Sequence, residues 1–169
     1  MTAAEIYNVA RSVGFPADVA VSMVAIAMKE SGGNPAAFNG VAPDLSYGLW
    51  QINMIGNLGA ARRAQFGLVA NEQLFDPATN ARAALAIWGG NNQNLARHWY
   101  IDRGVNRDRY LQYLPAAEQA AREVEGVTAS GVQFLDDDGA AAGSVVPLSP
   151  GYLIAGGVFV VGLWWALTD

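Results

Sequence analysis

The chain has no cysteine and a single histidine, His98, among its 169 residues. Without cysteine there is no disulfide framework, no thiol nucleophile and no thiolate-held metal. One imidazole also excludes a multi-histidine metal site, so neither a metal nor a cofactor is expected. Charge is scarce too, with 15% of residues charged against 52% hydrophobic. That balance excludes an intrinsically disordered chain, which needs low hydrophobicity and high charge. A formal net charge of −5 excludes a broadly basic nucleic-acid binder, and no nucleic-acid partner is expected. The N-terminal stretch shows no basic segment followed by an apolar one, so no signal peptide is expected there.

What is present is unevenly spread. Residues 1–126 carry all ten Lys and Arg and eleven of the fifteen acids. Asp136, Asp137, Asp138 and Asp169 follow without any basic residue, so the acidic balance belongs to the tail. Residues 127–150, rich in Gly, Ala, Ser and Asp with two Pro, read as a flexible linker. From Gly151 to Leu167 the chain is an apolar run, GYLIAGGVFVVGLWWAL. As a helix this run would span roughly 25 Å, the short end for crossing a bilayer. Tyr152 at one end and Trp164 and Trp165 at the other fit an aromatic belt. The pattern predicts a single C-terminal transmembrane or membrane-inserting helix over 151–167, with lipid as a partner. A buried C-terminal core helix and a β-structured apolar tail are the competing readings.

The first 126 residues predict a mainly helical domain. Thr2 and Glu5 are spaced as a capping box, opening a helix that ends near Gly14. Pro16 suits the start of a second helix over roughly 16–31, closed by Gly32-Gly33, whose apolar middle marks it as the buried central helix. Turn signals through 34–53 predict an irregular loop or small hairpin. Further helices are expected over about 55–66 and from Asp76-Pro77 to Gly89-Gly90. A last helical region, capped by Asn106 and broken at Pro115, is expected to reach about 125. Gly32-Gly33 reads as a helix terminator rather than a phosphate loop, because no Lys or Ser/Thr follows at the required spacing.

The residue with the most pointed chemistry is Glu30, in the last turn of that apolar helix. Desolvation disfavours a charged carboxylate, and the partial negative charge of a helix C-terminus acts in the same direction. A carboxylic acid kept protonated near neutral pH is what protonation of a glycosidic oxygen requires. Neighbouring Lys29 is expected to point elsewhere on the helix. The bland alternative is a solvated glutamate at a helix end.

Glu30-Ser31-Gly32-Gly33-Asn34-Pro35-Ala36-Ala37, followed by Ser46-Tyr47-Gly48-Leu49-Trp50-Gln51-Ile52, resembles the lytic transglycosylase and goose-type lysozyme superfamily. There a Glu-Ser pair ends a helix and a Ser-x-Gly-Leu-x-Gln segment lines the sugar cleft. Phe75-Asp76-Pro77, with Asn80, resembles that family's next helix start. Asn106 to Pro115, including Arg109-Tyr110-Leu111 and Tyr113-Leu114, resembles its closing helix. The blocks occur in the family's order over roughly residues 16–125. Where soluble bacterial members carry Tyr-Asn-x-Gly, this chain has Ala86-Ile87-Trp88-Gly89-Gly90-Asn91 and then Ala96-Arg97-His98-Trp99-Tyr100. That arrangement is closer to small phage lysozyme-like domains, and either Trp99 or Tyr100 is expected to fill the tyrosine's place.

The resemblance implies a mainly α, α+β lysozyme-like domain over 1–126 acting on peptidoglycan. Glu30 would be general acid and then general base at the bond between N-acetylmuramic acid and N-acetylglucosamine. In a lytic transglycosylase the base step takes a proton from the muramic acid's own 6-hydroxyl and leaves a 1,6-anhydro end. A hydrolytic lysozyme instead needs a second carboxylate, for which Asp44 and then Asp102 are the candidates, each otherwise a turn or surface acid. A non-catalytic glycan-binding virion protein is the third reading. Substrate contacts are expected from Ser31, Ser46, Tyr47, Gln51, Asn53, Trp99 and Tyr100. Trp50 reads equally as a stacking face or a core residue, and His98 as a packing or surface histidine. Seven arginines against four acids between 62 and 109 suit an anionic wall or simply a solvated surface. The missing signal peptide, the small size and the apolar tail together suggest a bacteriophage virion component, with a bacterial cell-wall enzyme of a secretion or conjugation system as the competing reading. A virion component would act in the host periplasm and cell wall, with other virion proteins as further partners.

Overall fold

A computed structural model describes residues 1–126. The order is α1 (Ala3–Val13), α2 (Ala17–Ser31), β1 (Phe38–Asn39), β2 (Ser46–Tyr47), β3 (Ile52–Asn53) and α3 (Gly56–Phe66). A 3₁₀ turn (Asn71–Phe75) leads into α4 (Pro77–Gly90), followed by α5 (Ala96–Trp99), α6 (Gly104–Leu111) and α7 (Leu114–Glu125). The domain is therefore mainly helical with one small sheet, an α+β lysozyme-like arrangement.

α1 opens on the expected capping box: Glu5 N–H donates to Thr2 Oγ1 and Thr2 N–H to the Glu5 carboxylate. α2 is buried continuously from Ala20 to Ala27, as a helix apolar on every face must be. α1 and α7 pack against α2 and against each other, α6 also meets α2, and α4 packs on α1. Two polar ties fix the packing. Tyr7 Oη and Arg11 Nε, both on α1, donate to Glu125 Oε1 of α7, at 2.7 and 3.0 Å. Tyr110 Oη of α6 donates to Ser22 Oγ of α2 at 3.1 Å.

The segment expected as a loop or hairpin is a three-stranded antiparallel sheet of two-residue strands in the order β1-β2-β3. Its register places Asn39 opposite Ser46 and Ser46 opposite Asn53. The neighbouring row runs Phe38, Tyr47, Ile52. α4 begins at the expected Asp76-Pro77, where the Asp76 carboxylate accepts from Thr79 N–H at 2.8 Å.

The last helical region departs from expectation. α6 begins at Gly104, and Asn106 lies inside its first turn rather than capping it. The break falls at Gln112-Tyr113, and Pro115 opens α7, where its missing N–H removes no helix bond. The 3₁₀ turn and α5 are additional short elements with too little periodicity to be read from sequence. The linker expected over 127–150 and the membrane helix expected over 151–167 lie outside the described residues. Among the described residues no helix is long and apolar enough to cross a membrane.

Candidate active site

A cleft of about 850 Å³ opens between the end of α2, the sheet, α3 and the α5–α6 region. Glu30 reaches it from the last turn of α2, which Gly32 closes at φ 62° with its N–H on the carbonyls of Ala27 and Met28. Lys29 does not point away as expected. Its ammonium donates to Glu30 Oε1 at 2.6 Å and to the Trp99 carbonyl at 3.0 Å. Adjacent helical residues do not normally face each other. At a helix end, however, a long side chain can fold back, and the buried Trp99 carbonyl gives the ammonium a second acceptor. The lysine is 7% exposed and the glutamate 25%. Among the described residues no group pairs with the other oxygen, Oε2, so one carboxylate oxygen remains for a ligand.

The sheet supplies the second wall. Because side chains alternate across a strand, the row Asn39, Ser46, Asn53 projects together. All three converge on Asp44. Ser46 Oγ and Asn53 Nδ2 donate to Oδ1 at 3.0 and 2.6 Å, and Asn39 Nδ2 donates to Oδ2 at 3.3 Å. Asp44 is thus a fixed carboxylate in the same cleft as Glu30. Asp102 does not line that cleft and pairs with Arg103 at 3.6 Å.

One expectation is corrected here: of Ser46 and Tyr47 only Ser46 lines the cleft, and Tyr47 is buried. Its ring is 6% exposed and sits between Phe38 and Phe75, at centroid distances of 5.1 and 5.4 Å. Trp50 is likewise core, fully buried with its indole N–H on the Met23 carbonyl at 2.8 Å. Aromatic surface at the cleft comes instead from Phe38 and Tyr100, 56% and 50% exposed. Tyr100 ends α5 in the left-handed region, φ 51°, which aims it outward, with the Arg103 guanidinium over its ring. Trp99 lines the cleft but is mostly buried, its indole N–H donating to the Trp50 carbonyl at 3.0 Å.

Of the remaining expected contacts, Ser31, Gln51 and Asn53 all line the cleft. Ser31 Oγ donates to the Ala27 carbonyl rather than to Glu30. Gln51 spends its amide nitrogen on the carbonyls of Ala37 and Gly48, which leaves its carbonyl oxygen as the group to offer a ligand. Asn53 is occupied on both sides, donating to Asp44 and accepting from Ile55 N–H. These side chains shape the wall as much as they present it.

Asn80 holds the wall in place from behind. Its amide donates to the carbonyls of Tyr47 and Leu74, both at 2.9 Å, and accepts from Trp50 N–H at 3.0 Å. Gly48 sits against it at φ 74°, where a Cβ would lie 2.3 Å from the Leu74 carbonyl. Only glycine fits there.

Sequence reasoning missed Lys29 as the partner of Glu30, and it missed Asn39 and Asn106 as cleft residues. It read His98 as packing or surface. His98 lines the cleft, packs edge-on against Trp99 at 4.6 Å, and has its pKa pushed down to about 4 by burial and then by the Arg62 charge. Asn39 alone was recoverable, had the strand register been guessed. Among the described residues no group of three or more acids and histidines is placed to hold a metal ion.

Residues 7–99 match the sequence profile of a family described as a lysozyme-like domain. No curated protein and no solved structure matches the chain. The matched region covers more than half of the sequence and contains Glu30, Asp44, the whole sheet and Asn80. The chain therefore belongs to the lysozyme-like domain family of the lytic transglycosylase superfamily, whose substrate is the glycan of peptidoglycan.

Proposed function

We propose that the protein is a lytic transglycosylase that cuts the bond between N-acetylmuramic acid and N-acetylglucosamine with Glu30 as its one acid–base group. The observation that carries this is the contrast between the two cleft carboxylates. Glu30 keeps an oxygen without a partner among the described residues, whereas Asp44 is anchored by three donors. Protonated Glu30 gives its proton to the glycosidic oxygen as the C1–O bond breaks, and positive charge builds on the muramic ring. The carboxylate then takes the proton of the 6-hydroxyl while that oxygen bonds to C1, closing the 1,6-anhydro ring. Between the two steps Lys29 stabilises the carboxylate, and the Trp99 carbonyl keeps the ammonium aimed. Phe38 and Tyr100 offer faces to the sugar rings, and Gln51 offers its carbonyl oxygen.

Asp44 supports a second reading. Fixed in the same cleft, it is positioned to steer a water or stabilise the cation, which would make the enzyme a hydrolytic lysozyme. Product masses decide between the two. Full-length protein and Glu30→Gln are incubated with purified peptidoglycan, and the released fragments are weighed. Anhydro ends, lighter by one water, are expected, with activity about a hundredfold or more lower in the variant. Reducing ends mean hydrolysis. No release by the wild type returns the molecule to a glycan-binding structural role, and equal release by both proteins removes Glu30 as the acid.

We also propose that the chain is organised as a domain over 1–126, a linker over 127–150 and a membrane-inserting segment over 151–167. It would belong to a bacteriophage virion that opens the host wall from a membrane. The pairing of a glycan-cutting domain with an uncharged apolar run supports this reading. In liposome flotation the full chain is expected to rise with lipid and a chain ending at residue 145 to stay below; equal behaviour removes the anchor.

A further inference from the structure

Arg62, on α3, is a charged residue with no counter-charge among the described residues. It is 9% exposed, and among the described residues no carboxylate lies within ion-pair distance of it. Among the described residues its one hydrogen bond runs from Nη1 to the Asn53 carbonyl at 2.6 Å. The other charges at the cleft are accounted for. Lys29 pairs with Glu30, Asp44 is wrapped by Asn39, Ser46 and Asn53, and His98 is neutral. A buried cation held by a single carbonyl is costly unless something else compensates.

The remaining guanidinium N–H groups are not sealed in. Among the described residues the only fully enclosed side-chain polar atom without a partner is Trp88 Nε1. Arg62's free donors therefore meet solvent, and Arg62 lines the cleft. A guanidinium has five N–H groups in a planar fork that matches a carboxylate bidentately. Burial already presses on its charge, lowering its pKa, and an anion would relieve that pressure.

We infer that Arg62 is the anion-reading group of the cleft, pairing bidentately with a carboxylate carried by the glycan strand. This rests on the glycan-cutting reading above and adds to it the residue that reads the charge of the strand. The protein selects strands that bear carboxylates over neutral strands of N-acetylglucosamine alone. Two sources supply that chemistry: the lactyl carboxyl of a muramic acid stripped of its peptide, and the carboxylates of an attached peptide stem.

Binding to full-length Glu30→Gln protein, which holds the strands uncut, tests the inference by calorimetry. Three ligands are compared: a neutral chitin hexamer, peptide-free glycan strands, and peptide-bearing uncrosslinked strands. At least one acidic ligand is expected to bind about tenfold tighter than the neutral one. Adding Arg62→Gln removes most of that preference, leaving the share owed to Lys29, and keeps the chitin affinity within about twofold, which also checks that the variant is folded. Arg62→Lys keeps the charge without the fork and is expected to lose several-fold of the preference, so the test survives a Gln variant that fails to fold. Lys29 is the same in every protein compared, so its own pull on anions cancels. If peptide-free strands show the preference the lactyl group is read, and if only peptide-bearing strands show it the stem is. A preference unchanged in both Arg62 variants, or an equal loss on all three ligands, overturns this inference alone. No binding to any strand overturns the glycan-cutting reading as well.

Discussion

Asn80 is fully buried, and all three of its side-chain hydrogen bonds go to the backbone of other elements. It joins α4 to the 3₁₀ turn and to both ends of the Tyr47–Trp50 bend. Removing it costs more than its own bonds, because the buried Trp50 N–H loses its acceptor and the carbonyls of Tyr47 and Leu74 each lose a donor. Each such group costs roughly 1–3 kcal/mol. Asn80→Ala is therefore expected to lose about 3–5 kcal/mol in urea unfolding, near the top of the range for single substitutions. Asn80→Asp should recover only the Trp50 bond, since a carboxylate cannot donate to the two carbonyls. A loss below about 1 kcal/mol for the alanine variant would show that water or a rearranged bend replaces the amide.

Elements orient these residues, and their ends are where local chemistry is clearest. Asp76 caps α4, and its hydrogen bond to Thr79 holds the carboxyl below its ordinary pKa. Asp76→Ala is expected to destabilise the domain by about 1 kcal/mol, while Asp76→Asn keeps most of the cap. Because the folded value is the lower one, the cap's ionic share is complete above the unfolded pKa of about 4. It is lost as pH falls through the folded value. The alanine and wild-type unfolding free energies should thus converge at low pH; a constant gap down to pH 2 contradicts this. Such ends were legible from sequence, as were the capping box of α1, the apolar middle of α2 and the placing of Glu30. The sheet was legible only as turn-rich chain, since strands of two residues carry no periodicity. Without the register, the core-facing Tyr47 and the cleft-lining Ser46 could not be told apart. Lys29 escaped for a different reason: its contact depends on a carbonyl seventy positions away, at Trp99.

At the scale of the whole domain, His98 gives stability a pH dependence that carboxylates alone would not. In the unfolded chain its imidazole takes up a proton near pH 6.5; in the fold it does so only near 4. The cause is burial first and the Arg62 charge second, both of which disfavour the imidazolium. Between those two pH values the unfolded state binds more protons than the folded one. Stability therefore falls as pH drops from about 6.5 to about 4, and His98 contributes no slope above that window. The loss amounts to about 3 kcal/mol at most. This window lies above the one set by Asp76, so the two are separable in one titration. Thermal melts of the wild type and His98→Gln between pH 7.5 and 4 provide the measurement. The wild type is expected to lose up to about 10 °C more than the variant across the window. Parallel curves would mean that His98 protonates in the fold as readily as in water.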